Sequence, residues 1–206
     1  MNAEMENIKL PKPDLNGEIS IEESLLHRKS VRSFLNELLN LSQVSQVLWA
    51  SDGLKRDNKR TAPSAGATYP LFIYLVCGLI ENLSQGIYKY DIFEHSLNLK
   101  KGGDVRSELS AASLSQSSLN KAPAIIAVSA DFQKTTGQYG ERGIRYVYQE
   151  TGHVAQNVAL QAAAIGLGTV MVGAYDDNAV KIALNMPDQE QVLYLIPLGK
   201  PDGNKI

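Results

Sequence analysis

Apolar positions along this chain switch between helical and strand spacing, and the switches mark out its elements. After Ser20, Ile21, Leu25 and Leu26 form the apolar side of a helix, and Glu23 completes a capping-box pattern with that serine. A second helix is predicted over 42–51, with Val44, Val47, Leu48 and Trp49 on one broad face, Trp49 as a core residue and Gly53 just past its end. The run Leu71 to Cys77 is β-branched and aromatic without alternation, which predicts a strand buried on both faces, and Ala124 to Val128 reads the same way. Between them, 86–90 and 96–99 alternate like the strands of a hairpin, and a polar helical stretch covers about 105–114.

The strongest helical signal runs from about Arg145 to Ile165, with Val147, Thr151, Val154, Ala155, Val158, Ala162 and Ile165 at steps of three and four, and Gly166 ends it. Gly152, Ala155, Ala159 and Ala163 line up small side chains on this helix, which permits close packing within the monomer or across a dimer. A strand over 168–175, a short helix begun by Asp176 or Asp177 and a last strand over 191–198 complete the map. Helices and strands are mixed without a strict βαβ rhythm, so the expected class is α+β and not a doubly wound sheet. The first residues, with Pro11, Pro13 and Gly17, read as an extended arm (1–19) ahead of a single domain (20–206), able to lie on its own subunit or on a partner.

Composition narrows the picture. Two hundred and six residues suit one domain, and 44% hydrophobic with 20% charged residues is ordinary for a folded protein. A net charge of −2 from 20 basic and 22 acidic residues leaves no broad footprint for nucleic acid or an anionic membrane. The run 69–80 is broken by Pro70 and Gly78 and too short to span a bilayer, and 1–15 lacks a signal-peptide core, so a cytoplasmic location is expected. Cys77 is the single cysteine, inside a strand-like run where it reads as buried and inert; it excludes an internal disulfide and a cysteine metal cage.

Candidate chemistry is local. In Arg28-Lys29-Ser30-Val31-Arg32, residues 28, 30 and 32 share one side of an extended segment, offering two guanidinium groups and a hydroxyl to a phosphate. Taken alone, the run reads more readily as a solvated basic helix end beside the macrodipole. Pro63-Ser64-Ala65-Gly66 offers closely spaced backbone with little side-chain bulk, as a planar ring approached by backbone requires, or it is simply a turn. Gly166-Leu167-Gly168-Thr169 follows a helix and precedes a strand, the reverse of the dinucleotide-binding order, and no Walker pattern occurs. Glu150 and His153 have the spacing of a di-iron motif, but the second pair such a site needs is missing, so a hydrogen-bonding pair at a helix surface or interface is expected and no metal. His27 and His95 have no acid or nucleophile at a hydrolase spacing.

The order of these pieces resembles the nitroreductase superfamily, which carries an Arg-Arg-Ser-x-Arg run after its first helix. The stretch from Pro63 to Pro70 before an aliphatic strand, Gly86-Ile87-Tyr88-Lys89-Tyr90-Asp91, Gly152-His153-Val154-Ala155-Gln156-Asn157, Gly166-Leu167-Gly168-Thr169 and Gly173-Ala174-Tyr175-Asp176 are similar to its SagB-type dehydrogenase subgroup. The resemblance covers roughly 20–201. It implies an α+β homodimer of the nitroreductase-like fold, with a mostly antiparallel central sheet flanked by helices, two FMN molecules at the interface and NADH or NADPH as electron donor. Hydride would pass through the flavin N5 to a nitroaromatic, quinone or similar small-molecule acceptor in a ping-pong cycle. By position, Arg28, Lys29, Ser30 and Arg32 would hold the phosphate and ribityl chain, with a further contact from Lys200. Pro63, Ser64, Ala65 and Gly66 would come from the other subunit to the ring. Met171, Val172, Gly173 and Ala174 would present backbone N–H groups near N5, and no protein acid or base would be required. The acceptor pocket would be built from polar loops at 110–121 and 133–143. With Ile206 as the last residue, the longer C-terminal arm of some relatives is not expected. A SagB-type dehydrogenase or oxidase acting on a specialised substrate such as a peptide azoline, and a flavin-binding protein without turnover, are the alternatives.

Overall fold

The computed structural model describes residues 7–203, and they form one sheet covered on both faces by helices. In chain order the elements are β1 (Asn7–Lys9), α1 (Ile21–His27), α2 (Leu41–Asp52), β2 (Leu71–Cys77), β3 (Gly86–Asp91), β4 (Ser96–Gly102), α3 (Arg106–Ala112), α4 (Ser117–Lys121), β5 (Ala124–Ala130), α5 (Gln133–Tyr139), α6 (Arg142–Ala164), β6 (Gly168–Thr169), α7 (Asp177–Ala183) and β7 (Gln191–Gly199). The strand order is β1-β4-β3-β2-β5-β7-β6, and every neighbouring pair is antiparallel.

The continuous apolar runs are explained by this double cover. On one face, Ile73, Leu75, Ile126, Val128 and Ile196 pack against Val44, Val47 and Leu48 of α2 and Val147, Val154 and Val158 of α6. On the other, Tyr74, Val76, Ile87, Ile125 and Leu195 pack against Leu109, Leu119, Val180 and Ala183 from α3, α4 and α7. All seven residues of β5 are buried, because it lies between β2 and β7 and both of its faces are roofed.

The predicted cap is present, Ser20 with Glu23 opening α1, and a second capping box that was not predicted, Asn40 with Gln43, opens α2. Several expectations change. Residues 7–9 of the expected arm join the sheet beside β4, while residues 1–6 lie outside the described residues. The strand expected over 168–175 is two residues long. After Thr169 the chain leaves the ladder and pairs with β7 again at Val172, whose N–H and C=O both bond to Leu195. The polar stretches 110–121 and 133–143 are largely helical, not loops. Trp49 is half-buried: its indole N–H donates to the Leu54 carbonyl at 3.0 Å and its ring lines a surface groove. Cys77 is fully buried as expected, and burial pushes its thiol up to about 11.

Candidate functional site

The basic run follows directly from the end of α1. The N–H of Arg28 caps the helix on the Ser24 carbonyl, after which the backbone is extended and Ser30 pairs in parallel with Thr169. Val31 is the buried residue of the segment and anchors it. Its N–H bonds to the Thr169 carbonyl at 2.9 Å, and a Cβ added at Gly168 would lie 2.6 Å from its side chain, so only glycine lets the two backbones meet there. Anchoring Val31 inward turns Ser30 and Arg32 outward, and both are exposed while Arg28 is half-buried. None of the side chains of Arg28, Lys29, Ser30 and Arg32 has a hydrogen bond or ion pair among the described residues. A cleft of about 160 Å³ borders the run, with Gly166, Gly168, Ala159 and Ala163 on its other side. Lys200 is nearby through the Leu35 N–H to Lys200 carbonyl bond, but its ammonium is engaged by Glu37 at 2.8 Å.

The segment 171–174 lies along β7. Val172 is locked to Leu195, whereas Gly173 and Ala174 are exposed and their N–H groups have no partner among the described residues. Two adjacent free donors beside a buried bridge suit an electron-rich edge of a ligand. A cavity of about 470 Å³ opens at Gly173, bordered by Tyr148, Tyr175, Lys181 and Gln191.

Pro63–Gly66 stands apart from both. Ser64 is extended, Ala65–Ala67 form one tight turn, and Gly66, Ala67 and Tyr69 all have positive φ, of 58°, 54° and 45°. For Ala67 and Tyr69 that conformation costs about 1–3 kcal/mol each, so the surroundings must impose it. The Ala65 N–H donates to the Glu150 carboxylate at 2.8 Å, and the Tyr69 N–H to Ser64 Oγ at 2.9 Å. Arg60 stacks 4.4 Å from the centre of the Tyr69 ring and is held by Asp52 at 2.6 Å, with both side chains of that pair nearly buried. Burial pushes the Asp52 carboxyl up to about 7, outweighing the attraction of Arg60, and burial also raises Glu150. Glu150 therefore turns inward under the loop while His153 is exposed, and no metal-binding cluster of His, Cys, Asp and Glu occurs among the described residues.

Within one chain, then, the basic run and Lys200 share a corner, 171–174 follows from it along β7, and Pro63–Gly66 does not join them. Glu150, which holds that loop, and Ala163, which borders the basic cleft, are about 20 Å apart along α6. Asp52, Arg60 and Glu150 were missed as site residues because they come from three separate stretches with no shared spacing. The Glu-x-x-His pattern pointed to a hydrogen-bonding role for Glu150, but at a helix surface or interface, whereas the residue is buried and accepts from the Ala65 N–H.

Residues 25–200 match the Nitroreductase family. The chain belongs to that family. A nitroreductase homologue of Methanocaldococcus jannaschii is 40% identical over 196 residues, covering 95% of this chain and 98% of that protein. The microcin B17-processing protein McbC of Escherichia coli is 31% identical over 145 residues, 67% of this chain, but the chain spans only 52% of its length. The crystal structure of a nitroreductase homologue from Ralstonia eutropha superposes with a TM-score of 0.84 at 27% identity, covering 96% of this chain and 90% of that one. The α+β fold and antiparallel sheet read from the sequence are those of the family, and McbC places a SagB-type protein among the relatives. No helix among the described residues is long and apolar enough to cross a membrane.

Proposed function

We propose that this member of the nitroreductase family is an FMN-dependent NAD(P)H oxidoreductase that works as a homodimer and reduces a nitroaromatic, quinone or similar acceptor. The observation that carries the reading is the set of unpaired donors on one outward edge: Arg28, Ser30 and Arg32 on a backbone pinned to Thr169. Two unpaired cations and a hydroxyl on so fixed a backbone fit a phosphate dianion, and the cleft that the run lines through Arg28, Lys29 and Val31 is large enough for a phosphate but not for a whole nucleotide. When bound, FMN supplies reversible hydride transfer at its ring. The chain's own part is to hold and orient. Arg28, Ser30 and Arg32, with Lys29, bind the phosphate and ribityl chain, and the free N–H groups of Gly173 and Ala174 face the ring edge where negative charge gathers on reduction. Lys200 is the weakest member of the set, since Glu37 already neutralises it.

Dimerisation has two supports. Leu26 is 79% exposed and Ile21 and Leu25 are more than half exposed, which leaves the apolar side of α1 uncovered in a single chain. The separation of Pro63–Gly66 from the basic run along α6 is what a ring loop supplied by the partner requires. The test is direct: protein purified and heated releases a yellow chromophore identified as FMN, NAD(P)H bleaches the bound flavin, and an acceptor restores its colour. A colourless protein that binds no added FMN would sink the proposal.

A second reading, a flavin dehydrogenase acting on a peptide-derived substrate, is favoured by the 31% identity to McbC. Oxidation of an azoline-containing peptide with no bleaching by NAD(P)H would select it.

A further inference from the structure

Glu150 is a buried carboxylate in the middle of the longest helix, and the described residues give it no ion-pair partner within 4 Å. Its partner belongs to the loop above it: the Ala65 N–H at 2.8 Å. Ser64 in turn accepts the Tyr69 N–H at 2.9 Å, and the Ser64 carbonyl accepts the Ala67 N–H at 3.1 Å. The carboxylate thus grips the first residues of a turn whose later residues are left-handed and unfavourable by themselves. At the far end, the Asp52–Arg60 pair clamps the Tyr69 ring from above. On the remaining side, a Cβ at Gly66 would collide with the Tyr139 hydroxyl, and Thr68 Oγ1 is 2.8 Å from Thr135 Oγ1, so α5 closes the third side. Burying a carboxylate is costly, and a helix that needed only to pack would carry an apolar residue here, as it does at Val147 and Val154.

We infer that Glu150 is a positioning residue: it fixes Pro63–Thr68 in the conformation in which that loop meets the flavin of the partner subunit. The inference rests on the function proposed above for its consequence, though the anchoring itself does not need FMN. Charge-assisted acceptance of a backbone N–H is stronger than a neutral bond, so a carboxylate holds the strained turn where a water or a shorter side chain would let it relax.

The experiment compares wild type with Glu150→Ala, Glu150→Asp and Glu150→Gln, first without flavin and then with added FMN. Hydrogen exchange in flavin-free protein should speed up at least tenfold in 63–69 for Glu150→Ala and Glu150→Asp, the aspartate being one methylene too short. Exchange in β2 and β5 should stay as in wild type. Glu150→Gln keeps an acceptor for Ala65 and should restore exchange to within about threefold. With FMN, the same order should appear in the visible circular dichroism of the bound flavin and in its Kd, at least tenfold weaker for Glu150→Ala. Unchanged loop exchange in both Glu150→Ala and Glu150→Asp overturns the inference, and so does exchange that rises equally in β2, β5 and the loop, since that marks a merely structural role. If Glu150→Ala does not fold, the contrast between Glu150→Asp and Glu150→Gln decides the matter. Wild-type protein that binds no FMN would instead refute the cofactor reading, and the flavin-free exchange would still decide on the anchor.

Discussion

His95 ties together three stretches of chain that are distant in sequence. Its Nδ1 lies 2.7 Å from the Tyr90 hydroxyl, and its Nε2 lies 2.9 Å from the Pro11 carbonyl and 2.8 Å from Ser45 Oγ. A carbonyl can only accept, so the network assigns the proton to Nε2 and leaves Nδ1 to accept from Tyr90. Burial holds this imidazole below its ordinary value, opposed in part by the Pro11 carbonyl. The unfolded chain therefore takes up the proton first as pH falls, and the stability contributed by the neutral ring is present above about pH 6.5 and lost as pH falls through the lower folded value. Urea denaturation should show His95→Gln less stable than wild type above about pH 6.5, with the gap closing toward pH 5; a gap independent of pH would show that the ring does not titrate with folding. At the basic run, Arg28→Ala with Arg32→Ala should weaken FMN binding by about 3 kcal/mol or more, roughly a hundredfold in Kd by fluorescence titration. Unchanged occupancy would mean that the phosphate sits elsewhere. At this scale the sequence was legible where the partner is close by. Ser20 with Glu23 could be read because a cap and its donor are three residues apart, whereas Arg60 meets Tyr69 and Asp52 only because a loop folds back on α2.

Among elements, the helices carry the unresolved apolar surface. Periodicity identified Ile21, Leu25 and Leu26 as one side of α1, but it cannot tell whether that side meets the chain's own core or a second subunit. In the structure Ile21, Leu25 and Leu26 all stay more than half exposed. Leu25→Lys with Leu26→Lys should convert a dimer to a monomer in sedimentation velocity while leaving far-ultraviolet circular dichroism unchanged; a dimer that persists would move the interface away from α1. The short helices α4 and α5 escaped the pattern for a different reason. They are built mainly of Ser, Gln, Lys, Thr and Asn and bury only one or two residues each, so tertiary support and not amphipathic spacing makes them helical. The overextended strand at 168–175 arose because Val170 and Val172 are buried at alternate positions, which mimics a ladder although the only regular pairing is Gly168–Gly199 and Thr169–Leu198.

Across the whole molecule, stability is concentrated in the middle of the sheet. Ile126 of β5 is fully buried in the cluster shared with α2 and α6, so Ile126→Ala should cost about 2–5 kcal/mol in chemical denaturation. A cost below about 1 kcal/mol would mean that the layer repacks freely. The strands of that middle were the easiest to read, because a run buried on both faces needs no partner to be identified by composition. The pairing order could not be read in the same way. β2, β3 and β4 follow one another as neighbours from Leu71 to Gly102, but β2 also pairs along its full length with β5, beyond two helices, and β5 with β7, beyond three more helices and β6. That order has a kinetic consequence. The β2-β3-β4 meander can close early through nearby contacts, whereas the two central ladders must wait until long loops are brought together, at an entropic cost that precedes any reward. Until β5 docks, the inner edge of β2 is an open row of backbone donors and acceptors on an apolar strand, so the newly made chain is most exposed to aggregation along the line that later becomes its most protected core.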